Sequence, residues 1–163
     1  MIRTYKYRLS PTKKQTYALA ALLSQMQTVY NDALCERRWA WQRSRRSVTY
    51  FDQWNRMRDE RHRLPDEMGL LNATSIQQML RRVDKAHRAF YQGQRGAPRY
   101  KGRHRFKSIE YRYGDGCKLT GQRLYVQHVG NMRVRLHRPL PDGAEIKQVV
   151  IKRSVGRWYF CLQ

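Results

Sequence analysis

Residues 98–107, Pro98-Arg99-Tyr100-Lys101-Gly102-Arg103-His104-Arg105-Phe106-Lys107, alternate cations with aromatic and small side chains. In an extended backbone this spacing lets guanidinium and ammonium groups follow phosphates while Tyr100 or Phe106 offers a face for base stacking. Tyr111-Arg112-Tyr113 repeats the theme, and Arg133, Arg135, His137 and Arg138 alternate with Met132, Val134 and Leu136. A strand there has one apolar and one basic face, which suits a nucleic-acid backbone but also describes any half-exposed strand. Gln77, Gln78, Arg81 and Arg82 lie off the apolar stripe of a helical segment. In a major groove Gln pairs with adenine and Arg with guanine, although both also serve as ordinary helix-surface residues.

Hydrolytic chemistry is harder to find. Phosphodiester cleavage by two metals needs converging carboxylates. The twelve acids, among them Asp66 and Glu67, fall mostly at caps, helix surfaces or turns. Asp32 and Glu36 stand one helical turn apart, with Arg37 and Arg38 alongside to form surface ion pairs. Cys35, Cys117 and Cys161 have no CxxC spacing, and the five histidines are scattered, so no metal site is expected. No glycine-rich phosphate loop or nucleophile elbow is visible.

The charge balance agrees with the basic clusters. Thirty-four Lys and Arg stand against twelve Asp and Glu, a formal net charge of +22. Such self-repulsion is tolerated where a polyanion neutralises it, and RNA or DNA is the default partner. A membrane surface is the weaker alternative, because the arginines are spread along the whole chain. The longest apolar run, Ala18 to Leu23, is too short to span a bilayer, and no apolar leader follows Met1. A cytoplasmic protein is the expectation.

These residues need elements to hold them. Residues 2–9 alternate as one strand and stop at Ser10-Pro11. Thr12 and Gln15 form a capping-box pattern, after which Ala18, Leu22, Met26, Val29 and Ala33 predict a long amphipathic helix reaching Trp41. Thr49 and Asp52 cap a short helix that Leu64-Pro65 ends, and after a turn at Gly69 a third helix spans 74–91. From Gly96 the pattern turns to short strands over 106–113, 118–119, 123–126, 131–136, 146–153 and 158–162. The predicted class is α+β: a small barrel of the oligonucleotide-binding kind, interrupted by a helical insertion. Residues 1–10 supply the first strand, 11–95 the helical lobe and 96–163 the rest of the barrel.

Five motifs occur in order: residues 5–15 (Tyr5-Lys6-Tyr7-Arg8-Leu9-Ser10-Pro11-Thr12-Lys13-Lys14-Gln15), Val29-Tyr30-Asn31, residues 84–90 (Asp84 to Phe90), Pro98-Arg99-Tyr100-Lys101 and Trp158-Tyr159-Phe160. Together they resemble the N-terminal half of TnpB proteins, the OrfB-type transposases of insertion sequences. These are transposon-encoded RNA-guided DNA nucleases related to type V CRISPR effectors. The resemblance implies a wedge-type oligonucleotide-binding barrel with a helical recognition lobe, a guide RNA from the transposon end, and a target double-stranded DNA read through a short adjacent motif. Tyr50, Asn55 and Gln77 fall where relatives place motif-reading side chains, and Arg81 joins them as a DNA-binding residue. Arg99, Lys101 and Arg103 match an RNA-gripping connector, to which Tyr100, Arg105, Lys107, Arg112, Arg133 and Arg135 add further RNA-binding positions. In relatives the Trp-Tyr strand leads into an RNase H-like nuclease with a catalytic aspartate and a CxxC zinc insert. Those parts lie beyond Gln163, so the expectation for this chain is no catalytic residue and no cofactor, with Mg and Zn confined to the nuclease region. A nuclease domain acting in trans is then a further partner, in a prokaryotic, nucleoid-associated setting. The alternative is a stand-alone DNA-binding regulator or repressor, or an accessory transposition protein without nuclease activity.

Overall fold

The computed structural model describes residues 1–65 and 69–163, so Asp66 and Glu67 lie outside the described residues. Elements run in the order β1 (Tyr5–Ser10), α1 (Lys13–Ser44), α2 (Tyr50–Arg63), α3 (Ala73–Tyr91), β2 (Ser108–Arg112), β3 (Cys117–Thr120), β4 (Arg123–Val126), β5 (Gly130–Arg135), β6 (Gln148–Ser154) and β7 (Arg157–Leu162). The class is α+β. The chain divides into two compact units, residues 1–23 with 107–163, and residues 24–106. α1 runs through both units, and the connector is hydrogen-bonded to α1.

The first unit is a seven-stranded sheet in the order β2-β6-β7-β1-β5-β4-β3, with every pair antiparallel. β1, far from its partners in sequence, sits in the middle between β5 and β7. Strict alternation puts Tyr7, Leu9, Met132, Val134, Trp158 and Phe160 inside, and Leu19, Leu22 and Leu23 of α1 are buried in the same unit. Cys117 belongs to this interior. Burial pushes its thiol up to about 12, so it stays protonated.

The predicted barrel is not closed. No ladder joins the edge strands β2 and β3. Two backbone bonds near that edge close the intervening turn, Asp115 N–H donating to the Arg112 carbonyl (3.0 Å) and Gly114 N–H to that of Cys117 (2.9 Å), while Tyr113 N–H donates to the Lys147 carbonyl (3.0 Å) and extends the β2–β6 pairing. Gly114 and Gly116 have φ of 87° and 77°, which side chains with a Cβ rarely adopt. Even so, the sheet cannot be flat. Seven strands ~4.8 Å apart would separate the edges by ~29 Å, whereas residues 113–116 bridge at most ~18 Å. The sheet therefore curls strongly while leaving its ladder open.

The second unit packs α1, α2, α3 and residues 92–106 around Met26, Tyr30, Leu34, Met57, Ile76, Leu80, Val83 and Phe106. Both predicted caps form in the chain: Thr12 with Gln15 ahead of α1, and Thr49 with Asp52 ahead of α2. α3 starts one residue earlier than predicted, because the Asn72 side chain accepts from Thr74 and Ser75 N–H. A buried polar network ties the three helices together. Arg37 donates to Gln53 (2.9 Å) and Asp84 (3.1 Å), and Gln53 donates to the Ala33 carbonyl (2.9 Å) and Glu36 (3.0 Å). Glu36 also pairs with Arg56 at 2.7 Å, not with the neighbouring Arg37 or Arg38. Packing between helices overrides the local partner.

Candidate nucleic-acid interface

One groove, within the helical unit, has a volume of about 1060 Å³. Val48, Arg37 and His87, all buried, form its inner part, and Tyr50, Phe51, Trp54, Gln77, Arg81, Lys85, Arg88 and Tyr91 line it further. α3 presents Gln77, Arg81 and Lys85 at four-residue intervals, which stacks them on one flank. The Arg81 guanidinium lies 5.5 Å from the Tyr50 ring centre. Asp84 is the one carboxylate of the lining, and Arg37 and Arg88 both engage it, at 3.1 and 2.8 Å. The positive end of α2 opens at Tyr50. The adjacent Asp52 carboxyl is held below its ordinary range by hydrogen bonds from Thr49 backbone and side chain. Burial lowers the His87 pKa, and its ring bonds the Val83 carbonyl at 3.0 Å. Three expected DNA-binding residues, Tyr50, Gln77 and Arg81, thus share this groove. Asn55 is exposed on α2 outside the lining.

The connector is more structural than its composition suggested. Asn31 donates to the Lys101 carbonyl and accepts from its N–H, each at 3.0 Å, and Gln27 donates to the same carbonyl at 2.9 Å. The Lys101 ammonium lies 5.0 Å from the Tyr30 ring centre, and burial followed by the Arg82 charge lowers its pKa. Phe106 is 1% exposed, a core residue and not a stacking face. Its ring packs on Tyr30 at 5.7 Å, at the last residue of the helical unit. Tyr100 remains exposed, with Arg38 stacked 4.5 Å from its centre, and Arg99, Arg103 and Arg105 are exposed residues.

The sheet unit has a basic outer face. β1 exposes Lys6, Arg8 and Ser10, while β5 exposes Asn131, Arg133 and Arg135. Register sets Arg8 directly opposite Arg135, and Arg133 opposite Arg123 of β4. Lys152 of β6 stands opposite Tyr159 of β7, which is itself opposite Arg8. Lys6 lies over the same Tyr159 ring at 4.4 Å. Among the described residues, Arg8, Arg123, Arg133 and Arg135 make no ion pair with a carboxylate. Arg112 is exposed on edge strand β2, and Lys107 is exposed just before it. Arg8, Arg123, Lys152 and Tyr159 escaped the sequence reading. Alternation in each strand put them outward, but only pairing register shows that they join Arg133 and Arg135. Among the described residues no three His, Cys, Asp or Glu side chains gather as metal ligands. No helix among them is long and apolar enough to cross a membrane.

Residues 1–46 match a family model for the helix-turn-helix domain of OrfB proteins of the IS605 kind. In this chain the matched segment holds β1 and the whole of α1, and the nearest helix–turn–helix connection is α1, residues 45–49 and α2. The chain is homologous to the N-terminal part of RNA-guided DNA endonucleases. It is 32% identical over 98% of its length to a Streptomyces pristinaespiralis protein named "Putative RNA-guided DNA endonuclease". It is 23% identical over 99% of its length to the Escherichia coli K12 protein named "Putative RNA-guided DNA endonuclease InsQ". It spans 40% of the length of each.

Proposed function

We propose that this chain is the RNA- and DNA-recognition module of a TnpB-like RNA-guided DNA endonuclease. In this reading the curled sheet acts as a wedge-type, oligonucleotide-binding-like platform whose arginine rows, with Arg112 and the connector cations Arg99, Arg103, Arg105 and Lys107, hold guide RNA. The helical groove reads a short motif in duplex DNA beside the target. The observation that carries the proposal is the pairing of Arg8 with Arg135 and Arg123 with Arg133 without a carboxylate partner. Like charges placed opposite each other cost stability unless an anion lies across them. Phosphates supply that anion. In the groove, the Gln77 amide and Arg81 guanidinium, one turn apart, match the donor and acceptor pattern of purine edges. Tyr50 adds an apolar ring, and Asn55 a polar contact further along α2.

The test has two arms. Affinity for structured guide RNA should fall steeply with salt, each phosphate contact contributing ~0.7–0.9 to the log–log slope; a flat slope would sink the reading. Selection from random duplex DNA in the presence of guide should give a base preference that Gln77→Ala and Arg81→Ala each relax by ~1–3 kcal/mol at one position. A preference that is the same without guide would instead support a stand-alone DNA-binding regulator.

A further inference from the structure

α1 continues past its own packing. Its last buried residue is Arg37, yet the helix runs to Ser44. On this projecting end Trp39 and Trp41 are 54% and 51% exposed, and each is covered by an arginine one turn later. The Arg43 guanidinium lies 4.3 Å from the Trp39 ring centre, and that of Arg45 lies 5.6 Å from Trp41. Residues 39–51 contain no acid. Arg45 also holds a φ of 50°, the left-handed conformation that glycine adopts freely at helix ends. Its N–H caps the Trp41 carbonyl at 3.0 Å, and Arg46 N–H reaches Ala40 at 3.2 Å. An arginine is kept where glycine would be the easier choice, and its side chain lies on a tryptophan.

We propose that this helix end is a stacking platform for unpaired nucleotides of RNA. An indole with a guanidinium on it extends a base stack, and the arginines neutralise the adjoining phosphates. A base offers its flat face only where no neighbour covers it, so a duplex interior cannot use the site. Two rings about 200° apart around the helix leave the apolar surface in separate pieces, which does not suit protein docking. Exposed Gln42 and Ser44, interleaved with Trp41 and Arg43, offer an amide and a hydroxyl to a ribose 2′-hydroxyl. The proposal rests on the nucleic-acid reading above but uses residues outside the groove and the sheet face.

The test compares unstructured oligo-uridine, oligo-deoxythymidine and a blunt RNA duplex in fluorescence-anisotropy titrations of the whole chain. Trp39→Ala and Trp41→Ala should each weaken oligo-uridine binding about tenfold, leave duplex binding unchanged, and recover most of the loss when Phe replaces Ala. Arg45→Gly should weaken oligo-uridine binding while raising Tm, a pair of signs that a misfolded variant cannot produce. Unchanged oligo-uridine affinity, or equal losses on the duplex, would overturn the proposal while leaving the broader reading intact. A larger loss on oligo-deoxythymidine would assign the platform to DNA, and a Trp-dependent loss of binding to anionic vesicles would assign it to a membrane; either overturns it. A wild-type chain that binds no nucleic acid would refute both readings at once.

Discussion

Replacing Arg133 and Arg135 together by glutamine should make the protein more stable and a poorer RNA binder. The two substitutions remove the like-charge pairs Arg135–Arg8 and Arg133–Arg123, which register sets directly across neighbouring strands. Two unit charges ~6 Å apart in water repel by about 0.7 kcal/mol. Screening with a Debye length of ~8 Å cuts this roughly in half. Two pairs then amount to ~0.7 kcal/mol, or a rise of ~2 °C in Tm for a chain of this size. Without RNA, the urea midpoint and Tm should both increase by this small amount. With RNA, two lost phosphate contacts should lower the log–log salt slope by ~1.4–1.8. Anisotropy titrations across a salt series measure the slope, and denaturation on the same preparations measures stability. A double variant that is less stable, or that keeps the wild-type slope, would refute the view that these arginines are set against each other for an anion.

Asp84→Ala should destabilise the helical unit by ~3 kcal/mol, because Arg37, whose side chain is 7% exposed, loses its carboxylate partner; a lower urea midpoint at unchanged m-value checks this. His87 carries a folded pKa depressed by burial. Its unfolded form takes up a proton from about pH 6.5 downward while the folded form resists, so stability is full above that pH and declines as pH falls toward the depressed value. His87→Leu should flatten that slope in urea melts run across pH. Val155 has a φ of 50° and is 96% exposed at the β6–β7 hairpin, so Val155→Asn should stabilise by ~1 kcal/mol, read as a higher Tm. Asn31→Ala removes both side-chain hydrogen bonds to the Lys101 backbone and should speed tryptic cleavage between Arg99 and Arg105.

Local signals in the sequence located the elements well. Period two marked β1 and β5, and the two capping boxes and the stripe Ile76, Leu80, Val83 marked the helices to within a few residues. What it could not show was register, because the same alternation in β1, β4 and β5 is compatible with many pairings, and only one brings Arg8 to Arg135 and Arg123 to Arg133. Phe106 was misread for a related reason. Its neighbours Arg105 and Lys107 are cations, yet tertiary packing on Tyr30 makes it core. Tyr50, Gln77 and Arg81 share a groove through the packing of α2 against α3, about which neither helix's own pattern is informative. Closure failed where short turn chemistry at 113–116 used the hydrogen bonds that a barrel would have needed.

The central place of β1 has a consequence for synthesis. Its neighbours are β5 and β7, so Tyr5 must wait for Leu162 before the middle of the sheet is complete. At ~5–20 residues per second that wait lasts roughly ten seconds or more. During it residues 24–106, a continuous stretch, can close their own core first. The first strand made is among the last to be paired, and its unpaired edges, carrying Lys6 and Arg8, are charged in a way that discourages other chains from pairing there in the meantime.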